Sequence, residues 1–161
     1  MKKYIITTSF AEYADDKELP GPDLELLQAA RQAAKSAYAP YSKFNVGAAL
    51  KLENDIVVIG NNQENAAYPS GLCAERVAVF SAGANYPGYA VTALAICCMT
   101  ESQTGKPFSP CGACRQALIE YETKAGKPMK IIMGGIKGPT YVIGSVKDLL
   151  PLAFDGGQLK K

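Results

Sequence analysis

The chain of 161 residues contains no histidine. That absence excludes serine-histidine and cysteine-histidine nucleophile systems and every metal site ligated by imidazole. Any metal has to be held by Cys, Asp or Glu, and a soft thiolate set points to zinc or iron-sulfur chemistry before magnesium or calcium. Also missing is a run of the roughly 18 consecutive apolar residues that a membrane span requires. The opening MKKYIITTSFAEYADD turns acidic before a signal-peptide apolar region develops, so the chain is read as cytoplasmic and free of the membrane. Acids and bases are scattered to a net charge of +2. Without a basic patch for phosphate contacts, a nucleic-acid polymer is not the expected partner.

What is present fits one globular domain over residues 1–161: 48% of the residues are hydrophobic, enough for a core that needs no staples. The five cysteines are an odd number. With no secretion signal, they read as reduced thiols used for ligation or packing and not as a disulfide framework.

Residues 1–20 show no sustained period and are read as an N-terminal extension of uncertain order. From Pro22, PDLELLQAARQAAKSAY predicts a helix, with Pro22 at its first position and an end before Ala39-Pro40. FNVGAALKL and DIVVIGNNQ predict a hairpin with a tight turn at Glu53-Asn54. A second helix is expected from Cys73 to Gly83, a strand at VTALAICCM and a third helix at CGACRQALIEYETKAG. MKIIMGG and TYVIGS read as strands, followed by a short helical segment in SVKDLLPLAF. Gly134-Gly135 and Gly156-Gly157 read as turns. The element order predicts an α/β protein, a three-layer α/β/α sandwich with a mixed five-stranded sheet.

The chemistry lies in Pro110-Cys111-Gly112-Ala113-Cys114, whose spacing puts two sulfurs on one side of a helix's first turn. Alone, CxxC describes a redox dithiol, half of a zinc ribbon or two buried thiols equally well. Cys73-Ala74-Glu75, also at a helix start, supplies a third thiol. Three ligands leave a position for water, whereas a structural zinc site is normally closed by four. Three thiolates outweigh Zn²⁺ by one negative charge, which helix N-termini and hydrogen bonds from Arg76 would offset. Glu75, two residues from a ligand, is placed to act as general base and acid.

Ligand-x-Glu upstream of Pro-Cys-x-x-Cys is the pattern of zinc nucleobase deaminases. Through YSKFNVGAAL, NNQENAAYPSGLCAER, SPCGACRQ and LLPLAF the sequence resembles the small homotetrameric cytidine deaminases, over roughly Pro40 to the C-terminus. The resemblance implies Cys73, Cys111 and Cys114 as zinc ligands, Glu75 as proton shuttle and Arg76 as support for the thiolates. It further implies Asn62 and Glu64 as a clamp on the ribose 3′-OH, two apart on one face of the second strand, with Phe44 as an apolar wall and Ala74 in the substrate pocket. Tyr68 and Phe154 would stand near a neighbouring subunit's site, in a homotetramer. The implied activity is hydrolytic deamination of cytidine and deoxycytidine in pyrimidine salvage.

Plainer readings stand beside these. Phe44 also suits ordinary core, Asn62 and Glu64 a strand end and turn, and Arg76 a solvated helix charge. Cys97-Cys98, in an apolar strand, reads as a pair of core thiols. A deaminase for another aminated pyrimidine, such as blasticidin S, would share the metal machinery. A zinc-stabilised module binding RNA or single-stranded DNA is disfavoured by the modest charge. A redox dithiol at Cys111 and Cys114 would leave Cys73 and Glu75 without a purpose.

Overall fold

The structure, a computed structural model, describes residues 1–100 and 105–159. Its elements are β1 (Ala11–Tyr13), α1 (Gly21–Ala34), β2 (Val46–Leu52), β3 (Val57–Asn61), α2 (Ala74–Asn85), β4 (Val91–Cys98), α3 (Gly112–Ala125), β5 (Lys130–Gly135) and β6 (Thr140–Ile143). They form one sheet in the order β1-β6-β5-β4-β2-β3. Only β4 and β5 run parallel, joined by α3 as a crossover; the other pairs are antiparallel.

Alternation along the strands divides the core in two. Ala48, Leu50 and Leu52 of β2 and Leu94 and Ile96 of β4 pack with α2 and α3 on one face. Ala49 of β2 and Ala93, Ala95 and Cys97 of β4 meet Leu26, Leu27 and Ala30 of α1 on the other. The expected three-layer sandwich therefore holds, and burial of each leucine or isoleucine in it is worth roughly 1.5 to 3 kcal/mol. Two glycines let the helices settle this closely. A Cβ on Gly47 would lie 2.1 Å from the Ala30 carbonyl oxygen of α1, and one on Gly60 would lie 2.6 Å from that of Ala74 in α2.

The sheet has six strands where five were expected. The sixth, β1, comes from the N-terminal extension and pairs antiparallel with β6. A three-residue strand is too short to show a period, and tertiary contacts hold its surroundings. Arg31 of α1 donates from Nε and Nη2 to the Gly135 carbonyl, at 2.9 and 2.7 Å, and from Nη1 to Asp16, at 2.6 Å.

Smaller differences have local causes. Helix α1 starts at Gly21, which puts Pro22 at its second position, and it closes at Ala34. There the amides of Lys35, Ser36 and Ala37 bond back three residues to Gln32, Ala33 and Ala34, which tightens the last turn. Four residues, Glu53 to Ile56, join β2 to β3, with Asp55 in the left-handed region at φ 66° and the Leu52 amide bonded to the Ile56 carbonyl at 2.9 Å. Helix α2 runs past Gly83 to Asn85. Gly134-Gly135 is no turn: the pair ends β5, where pairing with Cys97 and Cys98 of β4 overrides the local preference of glycine.

Candidate metal centre and active site

Cys73 is the N-cap of α2 and Cys111 the N-cap of α3; neither sulfur caps its own helix. Cys114 follows in the first turn of α3, so three sulfurs converge where two helix N-termini meet. All lie within 4.8 Å of one another. The Cys73 and Cys111 sulfurs are 3.8 Å apart and those of Cys111 and Cys114 3.5 Å. Tetrahedral zinc with Zn-S bonds of about 2.3 Å requires S···S separations of about 3.8 Å. Donor type and spacing thus both fit zinc. Cys114 is buried, Cys73 half-buried and Cys111 exposed, which leaves the group open to solvent on one side.

The thiols of Cys73 and Cys114 are electrostatically unequal. A hydrogen bond with Cys114, helped by Arg76, draws Cys73 down to about 5 against the opposing effect of burial. The same bond with Cys73, then burial, pushes Cys114 well above the ordinary thiol range. A negative charge is favoured at Cys73 and resisted at Cys114, so ionising both calls for a cation among the sulfurs. Arg76 Nη2 donates to the Cys73 sulfur at 3.7 Å, while its buried Nε has no partner among the described residues.

Glu75, 4% exposed, sits in the first turn of α2. Burial raises its pKa, and the negative Cys73 nearby raises it further. A carboxyl in that environment can hold a proton, as a proton carrier must. Ala74, the first residue of α2, is wholly buried against β3.

Asn62 and Glu64 do not share a face of the second strand, because β3 ends at Asn61 and the chain there leaves to bridge with Tyr38 and Leu72 through Gln63. Both side chains instead hold the segment that leads into β2. Asn62 accepts from the Val46 amide at 2.8 Å and donates to the Phe44 carbonyl at 2.9 Å. Glu64 accepts from the Tyr41 and Ser42 amides, at 2.9 and 3.2 Å, and from the Ser42 hydroxyl. That hydroxyl chiefly holds its carboxyl below the usual range. Phe44 meets Phe108 edge-on, with centroids 4.9 Å apart. Phe108 escaped the sequence reading, although PFSPC places it just ahead of Cys111.

Tyr68 and Phe154 stand out in solvent, 91% and 54% exposed. Cys97 and Cys98 are buried in β4 and take no part in the sulfur group. Two cavities, of about 230 and 170 Å³, lie elsewhere, one between Tyr86 and Tyr121 and one between Lys106 and Ile136. Neither is lined by the cysteines.

Residues 21–127 match the family described as the cytidine and deoxycytidylate deaminase zinc-binding region, and the chain belongs to that family of zinc-dependent deaminases. Among curated relatives it is 40% identical over 129 residues to a cytidine deaminase of Halalkalibacterium halodurans, covering 80% of this chain and 91% of the relative. Among solved structures it is similar to cytidine deaminase from Burkholderia pseudomallei, with 44% identity, a TM-score of 0.69 and coverage of 81% of this chain and 97% of that one. Similarity to cytidine deaminase from Mycobacterium tuberculosis follows at 37% identity and a TM-score of 0.63, over 81% of this chain and 94% of that one.

Proposed function

We propose that this chain hydrolyses cytidine and deoxycytidine to uridine and deoxyuridine with release of ammonia, in pyrimidine salvage. The observation that carries this reading is the triangle of sulfurs at zinc spacing with a buried carboxyl on the adjoining turn. Cytidine deaminases among its relatives support the choice of substrate.

Cys73, Cys111 and Cys114 would hold zinc and leave one position open. When bound there, zinc supplies Lewis-acid activation of water. Arg76 and the amides of the two helix N-termini offset the excess negative charge of the thiolates. Glu75 takes a proton from water as it adds to C4 of the pyrimidine and delivers it to N3; it then takes the proton of the added hydroxyl and passes it to the amino group, which leaves as ammonia as the C4 carbonyl forms. Phe44, braced by Phe108, offers an apolar edge to the base, while Ala74, wholly buried, backs the turn between Cys73 and Glu75. Asn62 and Glu64 serve the ribose: Glu64 already accepts from a hydroxyl, that of Ser42, and a sugar 3′-OH is a donor of the same kind.

Tyr68 and Phe154 serve a neighbouring subunit in a homotetramer. Support comes from the bare apolar surface of a lone subunit, where Leu152 is 90% exposed close to Phe154. The cytoplasm suits free thiols of this kind, and no helix among the described residues is long and apolar enough to cross a membrane.

Zinc-loaded protein mixed with cytidine or deoxycytidine is expected to release ammonia with the matching ultraviolet change. Full zinc occupancy without reaction on either nucleoside refutes the assignment. Glu64→Ala is expected to raise KM roughly tenfold or more through loss of a charge-assisted hydrogen bond; an unchanged KM removes Glu64 from the ribose site.

A further inference from the structure

Cations are disfavoured in the first turn of a helix, where the amide dipoles leave partial positive charge. Helix α3 nevertheless places Arg115 directly after Cys114, and no carboxylate among the described residues forms a salt bridge with it. Its guanidinium donates instead to two carbonyl oxygens, Nε to Pro110 and Nη1 to Leu149, each at 2.8 Å. Pro110 is fully buried and immediately precedes Cys111. Leu149 ends a short 3-10 turn (Val146–Leu149) far along the chain. Beside it, Gln116 donates to the Phe154 carbonyl at 2.9 Å.

Fixing the Pro110 carbonyl fixes the peptide plane that enters Cys111, and with it the direction in which that sulfur leaves the backbone. The other arm of the fork grips the C-terminal segment. We propose that Arg115 is a positioning residue that locks the Cys111 turn and residues 149–155 into one unit, so that zinc retention and order in that segment rise and fall together. This rests on the reading of Cys111 as a zinc ligand. By linkage, whatever loosens one partner loosens the other. Lysine cannot replace the fork, since a single ammonium lacks the planar pair of donors that spans two carbonyls.

The test uses full-length protein as wild type, Arg115→Ala, Arg115→Lys and Gln116→Ala. It follows zinc release into a chromophoric chelator and hydrogen exchange in residues 149–155, with and without zinc, taking α1 as internal reference. In the wild type, zinc removal should raise exchange in 149–155 while α1 stays protected. Arg115→Ala should release zinc about tenfold faster or more, in the range seen for lost support of metal ligands, with fast exchange in 149–155 whether or not zinc is bound. Arg115→Lys should fall between. Gln116→Ala should speed exchange near Phe154 and, through the same coupling, speed zinc release by less than Arg115→Ala does. Wild-type zinc release in Arg115→Ala, or zinc-dependent exchange in 149–155 that survives the substitution, overturns the proposal. Should Arg115→Ala fail to fold, exchange in wild-type 149–155 that ignores zinc overturns it equally. Full zinc occupancy in Cys111→Ala would instead reject the ligand reading, which separates the two failures.

Discussion

Cysteines occupy two regions of this molecule, and the same side chain is a different chemical group in each. Cys97 and Cys98 end β4, enclosed by the sheet and its helices, and burial pushes the Cys97 thiol up to about 11. Cys73, Cys111 and Cys114 lie at the N-terminal turns of α2 and α3, where Cys73 is drawn down to about 5 by Cys114 and Arg76. A strand interior surrounds sulfur with apolar atoms and leaves the neutral thiol favoured. At the helix starts the thiols stand beside one another and a guanidinium, so the bond with Cys114 and Arg76 favours the thiolate at Cys73, while that same bond and burial oppose it at Cys114. Position on the backbone, and not residue type, separates a sulfur cluster that could hold a metal from filler.

The sharpest way to break the comparison is Cys111→Ala. Zinc content and deamination should both fall to background, whereas Cys97→Ala should keep full zinc stoichiometry; equal zinc in the two variants, by metal analysis, would erase the distinction. Next in size is Glu75→Gln, expected to keep its zinc and lose roughly 10² to 10⁴ in turnover, the usual contribution of a general acid-base. Near-normal turnover would remove Glu75 from the proton path. On the other side, Cys97→Ala should cost about 1 kcal/mol of stability by emptying a small space beneath α1, measured by denaturant unfolding of the zinc-loaded protein. A much larger loss would show that Cys97 does more than fill the core.

The smallest effect is one of protection. Thiol reagents attack the thiolate, and a group at about 11 is ionised in only about one molecule in ten thousand at neutral pH. Native protein should therefore leave Cys97 unlabelled at pH 7 on mass mapping, and reactivity should rise only as the pH climbs towards 11. Rapid labelling at pH 7 would mean that β4 opens easily.

The layers of the fold were legible because each long element carries its own period: apolar and small residues alternate in β2 and β4, and α1 has a stripe through Leu27, Ala30 and Ala34. Strand β1 was not legible, since Ala-Glu-Tyr has no pattern of its own and becomes a strand only against β6. In the site, the thiols, Glu75 and the bond from Arg76 could be anticipated from their spacing on helix starts. Phe108 and Arg115 could not, because their roles depend on Phe44 and on the Leu149 carbonyl, each distant in the chain.

Residue order alone determined the donor chemistry. With no histidine any metal ligands had to be Cys, Asp or Glu, and the helical repeat puts Cys114 one turn from Cys111 and Glu75 beside Cys73 whatever the rest of the chain does. Tertiary structure decided that Cys73 meets the other two. Spacing within a helix is set by backbone geometry, but the 3.8 Å between Cys73 and Cys111 depends on how two separate helices settle on one face of the sheet. Gly60 governs that settling for α2 by admitting the Ala74 carbonyl, and no local pattern encodes a contact between elements so far apart in the chain.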